Sequence, residues 1–327
     1  MKIYITLDYE LFFGSKTGTP EKCMIDPTRR LSEIVAPFDI KFTCFVDSGY
    51  LLALKRQKKE YDILERDFEI IKEQLIQLTR SGHGVELHVH PHWEDSFFDG
   101  SQWQINTERY KLSAFSSSSV MDIVQSHTDV LKEITGRAPV AYRAGGWSAQ
   151  PFPPIGKALE NQEIFVDSSV FPGGFYTSDH QQFDFRAVPA YTTEYRFSED
   201  LIHPDTEGKF KEIPISACKV PPSFYWKLAG RKFFGGADHK SYGDGQPIRL
   251  SKGYFEKLTR TSIDVVSMDG YKSSFLEKAL KRYVKHTSNQ GNFVILGHPK
   301  AFSSYSLKKF QRFLEKTAET HQYSTFQ

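Results

Sequence analysis

Seven short apolar runs punctuate the chain: 2–8 (KIYITLD), 41–47 (KFTCFVD), 84–89 (GVELHV), 139–143 (PVAYR), 163–168 (EIFVDS), 212–216 (EIPIS) and 292–297 (NFVILG). Each is rich in β-branched or aromatic residues. Several are too uniformly apolar for a sheet with one wet face, so they predict strands buried on both sides. Between the runs the period changes. Phe68, Ile71, Leu75 and Leu78 fall at three- and four-residue spacing within 60–80, which predicts an amphipathic helix stopped near Gly82. Val120, Ile123, Val124, Leu131 and Ile134 repeat the pattern over 120–135, with Ser118 or Ser119 as cap and Gly136 past the end. Asp26-Pro27 opens a shorter helix as cap and first-turn residue, and a last amphipathic helix spans 304–318. Strands alternating with helices predict a parallel sheet in an α/β fold.

Polar residues interrupt this pattern at one kind of place. Asp8, the histidines of 88–92, Arg143, Asp167 and His298 stand at the C-terminal ends of their runs. In parallel barrels and open α/β sheets that edge is where chemistry is done. The segments 94–118 and 220–250 are longer than ordinary connections and rich in Gly, Ser, Tyr, Phe and Trp. They are expected to wall a substrate groove.

Composition narrows the classes. The chain has 327 residues, a length that one large barrel domain can fill, and its 39% hydrophobic content supplies a core. A formal charge of +2 argues against nucleic-acid binding and against attraction to a membrane surface. No segment approaches the apolar length of a membrane span. The start, MKIYITLD, lacks the features of an export signal, and Cys23, Cys44 and Cys218 have no close partner. Both point to a reducing, cytoplasmic setting.

The candidate chemistry concentrates in 82–93, GHGVELHVHPHW. His88, His90 and His92 fall at alternate positions, and residues two apart on a strand share a face. Imidazole is the commonest biological ligand for zinc and related ions, so the segment predicts a metal site.

In order, the strand ends read Thr-Leu-Asp-Tyr-Glu (6–10), His-x-x-x-His (88–92), Tyr-Arg-Ala-Gly-Gly-Trp (142–147), Asp-Ser-Ser (167–169) and Leu-Gly-His-Pro (296–299). This ordered set resembles the polysaccharide deacetylases, the NodB-like carbohydrate esterases, over residues 2 to about 300. The form of the histidine and arginine motifs looks like a subgroup from bacterial surface-polysaccharide gene clusters. The resemblance implies a distorted seven-stranded (β/α) barrel, one catalytic domain across 1–327, and metal-dependent removal of acetyl groups from N-acetylated sugars of a polysaccharide or its precursor. It makes His88 and His92 the metal-binding pair, Asp8 the catalytic base and His298 the general acid. Arg143 holds Asp8 ionised, and Asp167 supports the acid histidine. The family's usual second aspartate is replaced here by Tyr9, which leaves Glu10 or His90 as third ligand. Zinc is the expected ion, with cobalt or nickel as alternatives. Trp93 and Trp147 either stack on a sugar ring or pack in the core, and the amides of Gly145 and Gly146 approach an oxyanion. The alternatives are a glycan-binding barrel without activity, or a hydrolase of O-acetyl esters or non-sugar amides. A carbohydrate is the expected partner, and the oligomeric state is left open.

Overall fold

A computed structural model of the chain describes residues 1–248 and 254–327. Six of the seven predicted runs contain parallel strands, β1 (Lys2–Tyr9), β2 (Thr43–Asp47), β3 (Gly84–Val89), β4 (Ala141–Ala144), β5 (Val166–Asp167) and β8 (Asn292–Gly297), whereas the strand near 212–216 is β7 (Phe210–Glu212), which shares only Glu212 with that run and leaves 213–216 irregular. Two strands join them. β6 (Tyr195–Phe197) runs antiparallel to β7, and β9 (Gln322–Ser324) pairs parallel with the start of β1. The order is β6-β7-β5-β4-β3-β2-β1-β8, curled into a half-barrel. The open side is bridged by irregular chain. Ser216 donates its amide to the Val294 carbonyl and accepts the Val294 amide on Oγ, and Val266 accepts from Leu296.

The strand pattern explains this curl. In β1, alternate residues Ile3, Ile5, Leu7 and Tyr9 are fully buried. The other face carries Tyr4, Thr6 and Asp8, and Thr6 and Asp8 meet Arg143. A strand apolar on one face and polar but buried on the other fits a barrel whose interior holds a hydrogen-bonded network.

Most helices follow the sequence. Asp62–Arg80 and Ser304–Thr317 bury their predicted stripes. Ser117–Thr135 is capped by Ser116, which accepts from the Ser119 amide, two or three residues earlier than the Ser118 or Ser119 cap read from the sequence. Asp26 lies inside a helix that continues a π-turn over Glu21–Ile25, so it caps nothing. The segment 220–250 is not one long loop, because Pro222–Phe234 is helical; its last two residues lie outside the described set. Among the described residues no helix is long and apolar enough to cross a membrane.

Candidate active site

The C-terminal ends of β1, β3 and β4 gather the polar residues at one mouth. Three ligand atoms face each other there. His90 Nε2 lies 2.6 Å from Glu10 Oε2, His88 Nε2 lies 3.2 Å from the same oxygen, and the two ring nitrogens are 3.1 Å apart. His88 Nδ1 is 2.8 Å from the Arg143 carbonyl. A carbonyl only accepts, so Nδ1 carries the proton and Nε2 presents its lone pair to the cluster. Glu10, His88 and His90 are therefore a buried group able to hold an ion. One carboxylate and two imidazoles are borderline donors that suit zinc, cobalt or nickel.

Glu10 fills this place because of spacing. Asp8 and Glu10 are two apart, while Tyr9 points the other way and donates its hydroxyl to Gln74 Oε1 at 2.7 Å. Burial works against the Glu10 charge, but Lys300, His90 and His88 outweigh it and hold the carboxyl well below its ordinary range. Lys300 Nζ lies 2.9 Å from Glu10 Oε1 and also donates to the Leu11 carbonyl.

His92 is not part of this group. Its ring stacks on Tyr110 and meets Phe13 edge-on, and neither ring nitrogen has a hydrogen-bond partner among the described residues. Burial, helped by nearby His90, pushes it well below an ordinary histidine, so it stays neutral. The physical reason lies in the backbone: β3 ends at Val89, and a 3-10 turn at Pro91–Glu94 breaks the two-residue alternation that would have kept His92 on the face of His88.

Asp8 sits between two cations. Arg143 Nη1 donates to Oδ1 at 2.6 Å, and His298 Nε2 lies 3.6 Å from Oδ2. Burial would raise the Asp8 carboxyl, but the charges of Arg143, His88 and His298 more than offset it and keep it ionised. Arg143 is fully buried, where an unpaired guanidinium would cost several kcal/mol. Its donors are spent on the Ser168 carbonyl, Asp8, Thr6 Oγ1 and Ser168 Oγ, and its face lies 4.0 Å over Phe45.

The carboxylate behind His298 is Asp269, not Asp167. Asp269 takes the His298 amide on Oδ1 and faces Nδ1 with Oδ2, both at 2.7 Å. Burial alone would lower His298, but Asp269 and Asp8 raise it above its ordinary value. Asp167 instead accepts from the Ser169 amide and hydroxyl, and Ser169 in turn takes the Ala144 amide. Buried beside Glu212 on the neighbouring strand, it organises the ends of β4 and β5. Asp269 had a signal: the run 262–268, SIDVVSM, is a further β-rich stretch ending in a carboxylate. Lys300, two residues past His298, had none beyond its position.

Trp93 is core, not a sugar platform. It is fully buried, donates to Asp47 Oδ2 at 2.6 Å and packs on Tyr50 and Trp103. Trp147 is half-buried against Phe171 and Phe183. Gly145 passes so close to the His90 ring that a Cβ would stand 2.6 Å from Nδ1, and Gly146 takes φ +55° beside Tyr110.

No family profile and no curated protein matches the sequence. Solved structures do. A Mycobacterium smegmatis protein assigned to the polysaccharide deacetylases superposes with TM-score 0.50 at 15% identity, covering 98% of this chain and 85% of that one. A GH57 branching enzyme from Thermococcus kodakaraensis, in complex with glucose, reaches TM-score 0.50 at 11% identity over 99% and 70%. A family 4 carbohydrate esterase from Streptomyces lividans, in complex with acetate, reaches 0.41 at 9% over 100% and 93%. The fold is the NodB-like barrel seen in polysaccharide deacetylases. Since a branching enzyme matches equally well, the fold does not select the reaction.

Proposed function

We propose that the protein is a metal-dependent hydrolase that removes acetyl groups from N-acetylated sugars of a polysaccharide or its precursor. The supporting observation is the meeting of Asp8, its arginine and the Asp269–His298 pair beside the Glu10-His88-His90 group. Glu10, His88 and His90 would hold the divalent ion, with zinc the first choice. Such an ion supplies Lewis acidity to an acyl carbonyl and to water. Asp8, held ionised by Arg143, takes the proton of the attacking water as its oxygen bonds to the acyl carbon. His298, oriented through Nδ1 by Asp269, gives its proton to the sugar nitrogen as the carbon–nitrogen bond breaks. Acetate and a free amine result. The chain at Gly145 and Gly146 is where main-chain amides would meet the acyl oxygen.

Asp8→Asn or His298→Ala should each lower acetate release by about 10³-fold, the scale of a lost general base or acid, while bound zinc is kept. Unchanged rates in both would refute the assignment. Detecting the free amino sugar separates amide from ester hydrolysis. One observation favours a second reading, a glycan-binding barrel without a tightly held ion: the Lys300 ammonium already compensates Glu10. Metal analysis of the purified protein, with activity after adding zinc, cobalt or nickel, decides between them.

A further inference from the structure

The segment 220–260 holds eight Lys or Arg against three Asp or Glu, so the remainder of a chain with formal charge +2 is slightly acidic. The whole-chain figure thus conceals a local excess of positive charge. The two helices of the segment, Pro222–Phe234 and Tyr254–Thr259, pack on each other. Trp226 Nε1 on the first donates to the Leu258 carbonyl on the second at 3.0 Å.

Three large aromatic side chains of this pair face outward. Trp226 is 61% exposed, Phe255 79% and Phe234 89%. Along the first helix Trp226, Gly230 and Phe234 recur every four residues and share one face, with exposed Lys227 and Arg231 one step round from it. The inner side is spent on packing: Tyr225 is buried, and Phe224 meets Tyr271 and Phe275. Phe255 lies one turn before Leu258, the residue that Trp226 reaches, so these two rings border one seam. Single exposed apolar residues are ordinary, but three rings on one two-helix element are not. Rings flanked by Lys and Arg are the pattern of a helix lying in the plane of a bilayer, with aromatic groups beneath the headgroups and cations at the phosphates. A protein partner is the poorer match, because such interfaces deplete lysine. The acidic remainder of the chain also turns this element, and not another, toward an anionic surface.

Between the two helices the chain returns to the mouth of the barrel. Tyr242 and Gly243 donate their amides to the carbonyls of Phe302 and Lys300 at 2.8 and 3.1 Å, and Gln246 donates to that of Lys16 at 2.7 Å. Pro247 and Ile248 then line, with Phe13, a cavity of about 540 Å³, and the Phe13 ring lies 4.6 Å from that of His90. The exposed rings therefore belong to the same stretch of chain that rims the candidate site.

We propose that the helix pair docks this protein on an anionic lipid bilayer, with Trp226, Phe234 and Phe255 entering the interface and Lys227, Arg231 and Arg260 meeting the headgroup phosphates. The chain lies on the membrane and does not span it. The inference is independent of the deacetylase reading of the site.

The test is co-sedimentation of the full chain with vesicles of phosphatidylcholine alone or with about one-third phosphatidylglycerol. Binding should appear with the anionic vesicles, be at least about tenfold weaker with the neutral ones, and fall as salt is raised to about 0.5 M. Trp226 is the one exposed tryptophan of the four, so emission should shift to the blue on binding, and Trp226→Phe should abolish most of that shift. Phe234→Ser combined with Phe255→Ser, and separately Lys227→Glu combined with Arg231→Glu, should each weaken binding at least about tenfold while the thermal transition of the free protein is kept. All four residues are exposed, so these changes leave the core intact. Absence of binding, equal binding to both kinds of vesicle, or binding that either pair of substitutions leaves intact overturns the proposal. A lipid-free dimer in sedimentation velocity that Phe234→Ser with Phe255→Ser dissolves assigns the patch to a second copy of the chain and likewise overturns it.

Discussion

At the scale of single residues, the site depends on charges held where burial would remove them. His298 shows the balance. Burial favours its neutral form, yet Asp269 and Asp8 together raise it above an ordinary histidine, so it keeps its proton to higher pH. A general acid must be protonated, so activity should be present below that raised pKa and fall as pH rises through it. Asp269→Asn removes the charge that raises His298 most and should move the alkaline limb of kcat/KM toward acid. At pH 8 the variant should fall by at least about tenfold below wild type, within the range a general acid contributes. At pH 6 the gap should narrow. A pH profile of acetate release decides, and an alkaline limb left in place would remove His298 from the acid role. The same scale explains what the sequence could not convey. Asp8, Arg143 and His298 were legible because each ends an apolar run. Asp167 and Asp269 both end such runs, and only the packing of 262–268 against β8 brings one of them to the histidine.

At the scale of elements, β3 carries both chemistry and a structural liability. Glu86 shares the strand with His88 and is fully buried, accepting the amides of Val140 and Ala141 on Oε2 at 2.7 and 2.8 Å. Its other oxygen makes no close hydrogen bond among the described residues, with the Gln327 side chain its polar neighbour. Burial pushes the carboxyl up to about 7 despite these bonds. Between the ordinary glutamate value and that figure, the folded chain holds a proton that the unfolded chain has released, so stability must fall as pH rises across the window. The loss amounts to about 3 kcal/mol by pH 8. Glu86→Gln keeps an acceptor for both amides and carries no charge. Urea unfolding at pH 5 and pH 8 should show a smaller drop in the variant, which should be the more stable protein at pH 8. Equal drops would mean that Glu86 titrates normally. Elements also set the limits of sequence reading. Helix Ser48–Gln57 is buried nearly all round, so it lacks a stripe to recognise. Helix Pro153–Asn161 opens on two prolines that read as a turn. The helix Leu276–His286 does show Leu276, Ala279, Leu280 and Tyr283 at helical spacing, and could have been named.

At the scale of the whole molecule, the central parallel strands β1, β2, β3 and β8 were legible as buried β-rich runs, while β7, Phe-Lys-Glu at 210–212, lies beside the run read at 212–216. The closure of the barrel was not legible, because it rests on Ser216 and Val266 bonding to β8 outside any regular strand. The ion-binding group was legible as a histidine cluster, but its membership depended on where β3 stops. That membership has a global readout. An ion that binds the folded chain alone stabilises it by about 2.7 kcal/mol at a free concentration one hundred times Kd. For a chain of this size that corresponds to a rise of roughly 4 °C in Tm. Zinc should therefore shift the thermal transition of the wild type and of His92→Leu alike, because the His92 nitrogens have no partner to lose among the described residues. His90→Ala should abolish most of the shift, since it removes the nitrogen nearest Glu10. Acid should weaken the effect in the wild type. Asp8 and Glu10 raise His88 above its ordinary value against the pull of burial, so below that raised pKa the ion must displace a proton. A zinc shift lost in His92→Leu but kept in His90→Ala would restore His92 to the ligand set and place the break in alternation at Pro91 under question.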